Sequence, residues 1–163
     1  MISLSTILVP VDFASESQSF VEYAAAMAHK WGATLTLIHV CERPDAMTGI
    51  VPGADNEADE TNDRVLAQKA LESIRVETRK HTNVGMRVLV VDGSPAREII
   101  SASREVQMVV MGTHGRTGLR RALFGSVAEA VVRGASCPVL TIHLPGPVVP
   151  RVEPLSQGRS GEE

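Results

Sequence analysis

Short apolar, β-branched segments alternate along this chain with segments whose apolar residues recur at helical spacing. The apolar segments cover residues 6–12, 34–40, 86–91, 107–111 and 138–143. Nearly unbroken apolar runs of this length are typical of strands that are buried on both faces of a sheet. Because a helix separates each strand from the next, successive strands run parallel and are joined by right-handed crossovers. The alternation therefore predicts a single-domain α/β fold, an open five-stranded parallel sheet with helices on both faces.

Start signals place four helices between these strands. Serine followed three residues later by glutamine or glutamate forms a capping box, and proline is favoured in a first helical turn. These signals, together with an apolar stripe in the second helix, predict helix starts at Ser15, about Thr61, Ser94 and Ser126. In such sheets ligands bind beyond the carboxyl ends of the strands, where the strand order reverses. This rule directs attention to the loops after strands one, two and four.

Two segments depart from the alternation. Residues 42–63 hold seven aspartate or glutamate residues and one arginine, together with proline and glycine, which predicts an acidic surface loop. The tail after Leu144 contains four of the nine prolines and then becomes rich in Ser, Gln, Gly and Glu, a composition that predicts disorder. We therefore expect one domain over residues 1–144 and a disordered tail over 145–163.

Charge, aromatic content and cysteine count disfavour several classes of protein. A formal net charge of −3 and 3% aromatic residues argue against nucleic-acid binding, which uses basic patches and stacking rings. No apolar run approaches the roughly 18–20 residues of a membrane span, and residues 1–4 do not resemble a signal peptide. Cys41 and Cys137 are too few for a disulfide framework. We expect a cytoplasmic protein with neither nucleic acid nor membrane as a partner.

The loop after the fourth strand has the composition of an anion site. It runs from Gly112 to Ser126, contains glycines and arginines, and leads into a helix start. Glycines let the backbone approach a phosphate, and the free amides and dipole of a helix N-terminus favour negative charge. The alternative is that the glycines only make a turn and that Ser126 only caps a helix. The chain has no P-loop sequence, and no dinucleotide-binding GxGxxG follows the first strand.

Three separated motifs resemble those of the universal stress proteins. The nucleotide-binding subgroup of that family carries Gly-x2-Gly-x9-Gly-Ser/Thr, and Gly112, Gly115 and Gly125-Ser126 fit this pattern without a gap. Residues 7–12 resemble the family's first strand, and residues 136–140 resemble the entry to its last strand. The resemblance implies a Rossmann-like, adenine nucleotide alpha-hydrolase-like fold with strand order 3-2-1-4-5. It also implies an adenine-nucleotide site at the switch between strands one and four.

The resemblance covers roughly residues 3–144 and implies which residues bind the nucleotide. The implied set is Pro10, Val11, Asp12, Val40, Gly112, Thr113, Gly115, Arg116, Thr117, Gly118, Gly125, Ser126 and Val127. Residues at the ends of strands one and two would line the adenine and ribose end, and the glycine loop would frame the ribose and phosphates. Gly125, Ser126 and Val127 would hold the phosphate chain. Two roles stay open for Asp12: an ordinary turn former, or a partner for ribose hydroxyls or a bound Mg²⁺.

Other candidate residues carry weaker signals. His39 and Cys41 lie two apart near a strand end and could face the same way, but zinc normally takes three or four ligands. A lone loop histidine such as His114 is usually solvated. No nucleophile or general base is recognisable, so we assign no catalytic residue.

Two functions from different classes remain open. The resemblance implies a stress-response protein that binds ATP, or else ADP or AMP, with or without Mg²⁺, and uses it as a signal; at most it implies slow ATP hydrolysis or autophosphorylation. The alternative is a dimeric interaction module whose nucleotide site is vestigial. The resemblance also implies a homodimer formed through the fifth strand, with apolar contacts from Val139, Leu140 and Ile142.

Overall fold

The computed structural model describes residues 4–14, 17–43, 57–113 and 125–143. In chain order its main elements are β1 (Thr6–Pro10), α1 (Ser17–Trp31), β2 (Thr34–Glu42), α2 (Glu57–Arg79), β3 (Met86–Gly93), α3 (Pro95–Ala102), β4 (Met108–Gly112), α4 (Ser126–Gly134) and β5 (Val139–Ile142). A short 3₁₀ turn, Ser103–Glu105, follows α3. None of the helices in these ranges is both long enough and apolar enough to cross a bilayer.

The strands form one parallel sheet in the order β3-β2-β1-β4-β5. This confirms the predicted α/β class and the strand order that the resemblance implied. β1 pairs with β2 from Thr6↔Thr34 to Pro10↔Ile38, and it pairs with β4 on its other side. The strand order therefore reverses between β1 and β4, and a crevice is expected there beyond their carboxyl ends.

The central strands are buried on both faces, because successive side chains of a strand point to opposite sides of the sheet. Ile7 and Val9 of β1 are buried in the layer beneath α1 and α2, whereas Leu8 between them is buried in the layer beneath α3 and α4. Full burial of one such side chain contributes about 1.5–3 kcal/mol to folding. This two-sided burial explains why the strands appear in the sequence as continuous apolar runs.

The second and third helices begin close to the predicted positions. α3 starts at Pro95 with Ser94 as its N-cap residue, as predicted, although the Ser94 side chain makes no capping hydrogen bond in the described part of the chain. α2 starts at Glu57, before the predicted Thr61. The end of the acidic segment 42–63 is therefore helical instead of loop.

The predicted capping box at the start of α4 is wrong. Gly125 is the N-cap residue and Ser126 is already the first helical residue. The backbone N–H of Glu129 donates to the carbonyl of Gly125 (2.9 Å), and the Glu129 carboxylate pairs with Arg133 along the helix. The Ser126 hydroxyl is therefore not the cap. The predicted helix start at Ser15 and the predicted tail over 145–163 lie outside the described residues.

Candidate functional site

A cavity of about 970 Å³ opens at the carboxyl ends of β1, β2 and β4, where the strand order reverses. Its walls also include the starts of α3 and α4 and one side of α2. Small-molecule sites in proteins usually enclose about 300–1,000 Å³, so this cavity can hold a nucleotide-sized ligand. It lies where the rule for open parallel sheets places one.

The structure brings most of the predicted binding residues together in this cavity. Those that line it are Pro10, Val11, Asp12, Val40, Gly112, Thr113, Gly125, Ser126 and Val127. They come from three stretches far apart in the chain and meet because β1, β2 and β4 end side by side. The remaining predicted residues, Gly115, Arg116, Thr117 and Gly118, lie outside the described residues, as does His114.

An apolar wall that sequence reasoning missed completes the cavity. It is formed by Pro95 and Ile99 of α3 and by Met111 of β4. Pro95 and Ile99 are four residues apart, so both lie on one side of α3. Their spacing was visible in the sequence. Whether that side of α3 faces the cavity depends on how α3 packs against β2 and α4.

The corner between β1 and α1 is organised by Asp12. Its Oδ1 accepts hydrogen bonds from the backbone N–H of Ala14 (3.0 Å) and from the hydroxyl of Ser17 (2.9 Å), the first residue of α1. The turn-forming role is thus present, while Oδ2 takes part in neither bond. Phe13 follows with a φ of 59°, a left-handed conformation that costs a non-glycine residue about 1–3 kcal/mol. Surrounding contacts must therefore hold this corner in place.

His39 of β2 contacts the same corner from the neighbouring strand. Its Nδ1 donates to the carbonyl of Val11 (2.7 Å), and its ring centroid lies 4.3 Å from that of Phe13. The register pairs Pro10 with Ile38, which places His39 beside Val11. The register between β1 and β2 cannot be read from a single sequence. From the sequence alone, His39 is therefore considered only as a possible metal ligand. In the described ranges, no three His, Cys, Asp or Glu side chains are grouped so as to hold a metal.

Gly112 ends β4 against an aromatic ring. A Cβ added at Gly112 would lie 2.6 Å from Cε2 and Cζ of Phe20, which is buried in α1. Such a separation is well below van der Waals contact, so only glycine fits while Phe20 keeps its place. The contact with Phe20 gives this glycine a packing reason inside the protein, separate from the predicted approach of a phosphate.

Thr113 joins the ends of β4 and β5 to the start of α4. Its N–H donates to the carbonyl of Ile142 (3.1 Å), and its carbonyl accepts the N–H of Gly125 (2.7 Å). Its Oγ1 lies 3.2 Å from Nδ1 of His143. α4 consequently begins at the cavity wall with Ser126. The first amides of a helix have no acceptor within the helix and carry the positive end of its dipole, so this wall favours negative charge.

Comparison with known proteins identifies the family. The sequence profile of the Universal stress protein family matches residues 4–143. The chain belongs to this family. It is 30% identical to universal stress protein MJ0531 of Methanocaldococcus jannaschii over 141 residues, 85% of this chain and 82% of that protein. Rv2005c of Mycobacterium tuberculosis is 29% identical over 88% of this chain, which spans 50% of the length of that relative.

Solved structures of universal stress proteins share the fold. MJ0577 of Methanocaldococcus jannaschii superposes with a TM-score of 0.72 at 24% identity, covering 88% of this chain and 99% of that chain. A universal stress protein in complex with cAMP gives 0.66 at 18% identity, covering 87% and 98%. The Archaeoglobus fulgidus protein in complex with dAMP gives 0.62 at 21% identity, covering 86% and 98%.

In this universal stress protein, Asp92 joins the ends of β2 and β3 to α2. Its Oδ1 accepts from Nη2 of Arg43 (3.1 Å), and its Oδ2 pairs with Arg64. These side chains are partly exposed, so each pair is worth at most about 1 kcal/mol.

Burial, and secondarily the negative charge of Asp92, raise the pKa of the Cys41 thiol in the cavity wall. Cys41 is therefore neutral at pH 7 and acts as an apolar surface, not as a nucleophile.

Proposed function

We propose that this universal stress protein is a cytoplasmic stress-response protein that binds an adenine nucleotide, ATP or else ADP or AMP, in the described cavity. Occupancy of the site would act as the signal, without turnover. The observation that carries the proposal is the convergence of Asp12, Gly112 and the Gly125–Val127 segment on one cavity. Each belongs to a different part of the chain, and together they offer a carboxylate, main-chain groups at the end of β4 and a helix N-terminus.

The lining of the cavity offers the two kinds of surface that a nucleotide needs. Val40, Ile99 and Met111 form an apolar region able to cover an adenine base. Ser126 and the first amides of α4 would bind the phosphates, because they supply donors and a positive dipole end. Asp12 Oδ2 would accept from ribose hydroxyls or contact Mg²⁺, an ion that proteins bind through one or two carboxylates plus phosphate oxygens.

The two neighbouring structures with ligands support an adenine nucleotide. One universal stress protein was solved in complex with cAMP and another in complex with dAMP. Both ligands combine an adenine base with a single phosphate group, and a cavity with one apolar region and one helix N-terminus accommodates that combination. The proposal therefore covers ATP, ADP and AMP as alternative ligands of this one cavity.

Two polar groups of the cavity already perform structural tasks, which agrees with binding without turnover. Asp12 Oδ1 and His39 Nδ1 both hold the corner between β1 and α1. Hydrolysis requires a group that can take a proton from water at the reacting phosphate. The neutral Cys41 thiol is unsuited to that task, because its pKa is raised by burial.

A ¹H–¹⁵N NMR titration with AMP tests this proposal. The amides of Val40, Gly112 and Ser126 are expected to shift with one common saturation curve, since they line one cavity. The amides of Thr82 and Asn83, which line a small groove away from this cavity, are expected to stay unchanged. Unchanged spectra at millimolar AMP would favour the alternative, a dimeric module with a vestigial site.

We also propose a homodimer through β5, which lies at one end of the sheet. Val139 and Leu140 are half-buried and could contact a second copy, whereas Ile142 is buried in the core of its own chain and would contribute little. Sedimentation velocity is expected to show a dimer at high micromolar concentration. A Val139→Lys variant is expected to shift it to monomer, while Val132→Lys on the exposed side of α4 serves as a control. A monomeric wild type would contradict the proposal.

A further inference from the structure

Both backbone groups of Val11 are bonded to β2. Its N–H donates to the carbonyl of Ile38 (2.8 Å), and its carbonyl accepts the Nδ1–H of His39 (2.7 Å). Val11 is the first residue beyond the end of β1, so these two bonds extend the attachment of the chain to β2 past the regular strand. Its side chain is buried as well. Val11 is therefore fixed, and the turn into α1 starts from a defined position.

His39 holds this position through Nδ1. A carbonyl oxygen only accepts hydrogen bonds, so Nδ1 must carry a proton for the bond to Val11 to form. The same ring lies against Phe13, with centroids 4.3 Å apart and an angle of 33° between the planes. One side chain thus contacts the residue before Asp12 through a hydrogen bond and the residue after Asp12 through its ring face.

Phe13 needs such support, because its φ of 59° is one that a residue with a side chain rarely adopts. Left without contacts, the corner would relax towards ordinary backbone angles, and Asp12 would turn with it. The bonds from Asp12 Oδ1 to Ala14 and Ser17 lock the corner from the side of α1. The contacts of His39 lock it from the side of β2.

We propose that His39 is a positioning residue of the nucleotide site, which keeps Asp12 at the cavity wall by holding Val11 and Phe13. The inference rests on the proposed function for its consequence in binding, but its structural part does not. His39 needs no contact with the ligand for this role. The metal-ligand role considered from the sequence does not explain the bond to Val11, whereas positioning explains both contacts of the ring.

The test compares two substitutions of similar size at this position. His39→Asn keeps an N–H donor where Nδ1 lies, whereas His39→Leu removes the donor and keeps an apolar side chain. We expect His39→Leu to weaken AMP binding about tenfold and His39→Asn to restore most of that loss, as measured by calorimetry. In an Asp12→Ala background, His39→Leu is expected to have almost no further effect, because the two residues act through one corner. Equal AMP affinities of the His39→Asn and His39→Leu variants would overturn the proposal. So would a double variant whose loss of affinity equals the sum of the losses of His39→Leu and Asp12→Ala.

A second readout needs no nucleotide. Hydrogen exchange of the Ala14 amide, which donates to Asp12 Oδ1, reports the corner directly. This exchange is expected to accelerate at least tenfold in ligand-free His39→Leu and to stay near the wild-type rate in His39→Asn. An unchanged rate in the Leu variant would overturn the positioning role. If the wild type binds none of AMP, ADP and ATP, the proposed function is refuted, and the Ala14 rate still decides whether His39 holds the corner.

Discussion

Gly112→Ala is expected to lower the free energy of unfolding by about 1–3 kcal/mol, the usual range for overpacking a well-filled core. The added methyl group would lie 2.6 Å from two ring carbons of Phe20. The ring is mostly buried and also lines the cavity, so either the ring must leave its packed position towards the cavity or the backbone of β4 must shift. Chemical denaturation followed by circular dichroism measures this change. A chain of this size loses roughly 2–4 °C in Tm for each kcal/mol, so heating gives a second measure.

Two variants separate the packing role of Gly112 from other causes. In a Phe20→Leu background, Gly112→Ala is expected to cost at least about 1 kcal/mol less, because the ring that it strikes is gone. Gly134→Ala is the matched control: its new Cβ would meet Cδ1 of Ile100 at 2.8 Å, the far end of a side chain that can rotate away. Equal costs for Gly112→Ala in both backgrounds would show that Phe20 is not the reason for this glycine.

Val127→Trp is expected to weaken nucleotide binding by about a hundredfold or more, equivalent to at least ~2.7 kcal/mol. Val127 lies in the first turn of α4 and lines the cavity. An indole at this position would fill the space between the helix start and the apolar wall, which we assign to the ligand. The loss should be much larger than that of Ser126→Ala, which removes one hydroxyl and leaves the helix amides in place. Titration calorimetry with AMP measures both.

The same substitution five residues further along α4 is the control. Val132 is exposed on this helix, outside the cavity lining, so Val132→Trp introduces the same side chain without blocking the site. It is expected to bind AMP like the wild type. If Val127→Trp binds as tightly as Val132→Trp, the nucleotide does not occupy this cavity.

The strands were largely predictable from the sequence, because a strand buried on both faces must be apolar along its whole length. Each predicted strand lies within two residues of the observed one: 86–91 was expected where Met86–Gly93 forms, and 138–143 where Val139–Ile142 forms. The order β3-β2-β1-β4-β5 came from the family resemblance, and the structure confirms it. Helix starts were less predictable at α2, which begins at Glu57 and not at about Thr61, whereas α4 begins at Ser126 as predicted although Gly125 is its cap.

The contacts that shape the site could not be predicted, because they join residues distant in the chain. Phe20 determines the space at Gly112, and nothing near Gly112 in the sequence indicates it. The bond from His39 to Val11 depends on the register of β1 and β2, which a single sequence does not define. Likewise, Pro95 and Ile99 line the cavity only because of how α3 packs.

The central claim is that an adenine nucleotide binds in the cavity at the carboxyl ends of β1, β2 and β4. Isothermal titration calorimetry of the wild type with ATP, ADP and AMP, each with and without Mg²⁺, tests it most directly. We predict saturable binding of one nucleotide per chain with a Kd below about 1 mM, a binding free energy stronger than ~−4.1 kcal/mol. If none of the three nucleotides gives a saturable binding signal at several millimolar, the account is contradicted.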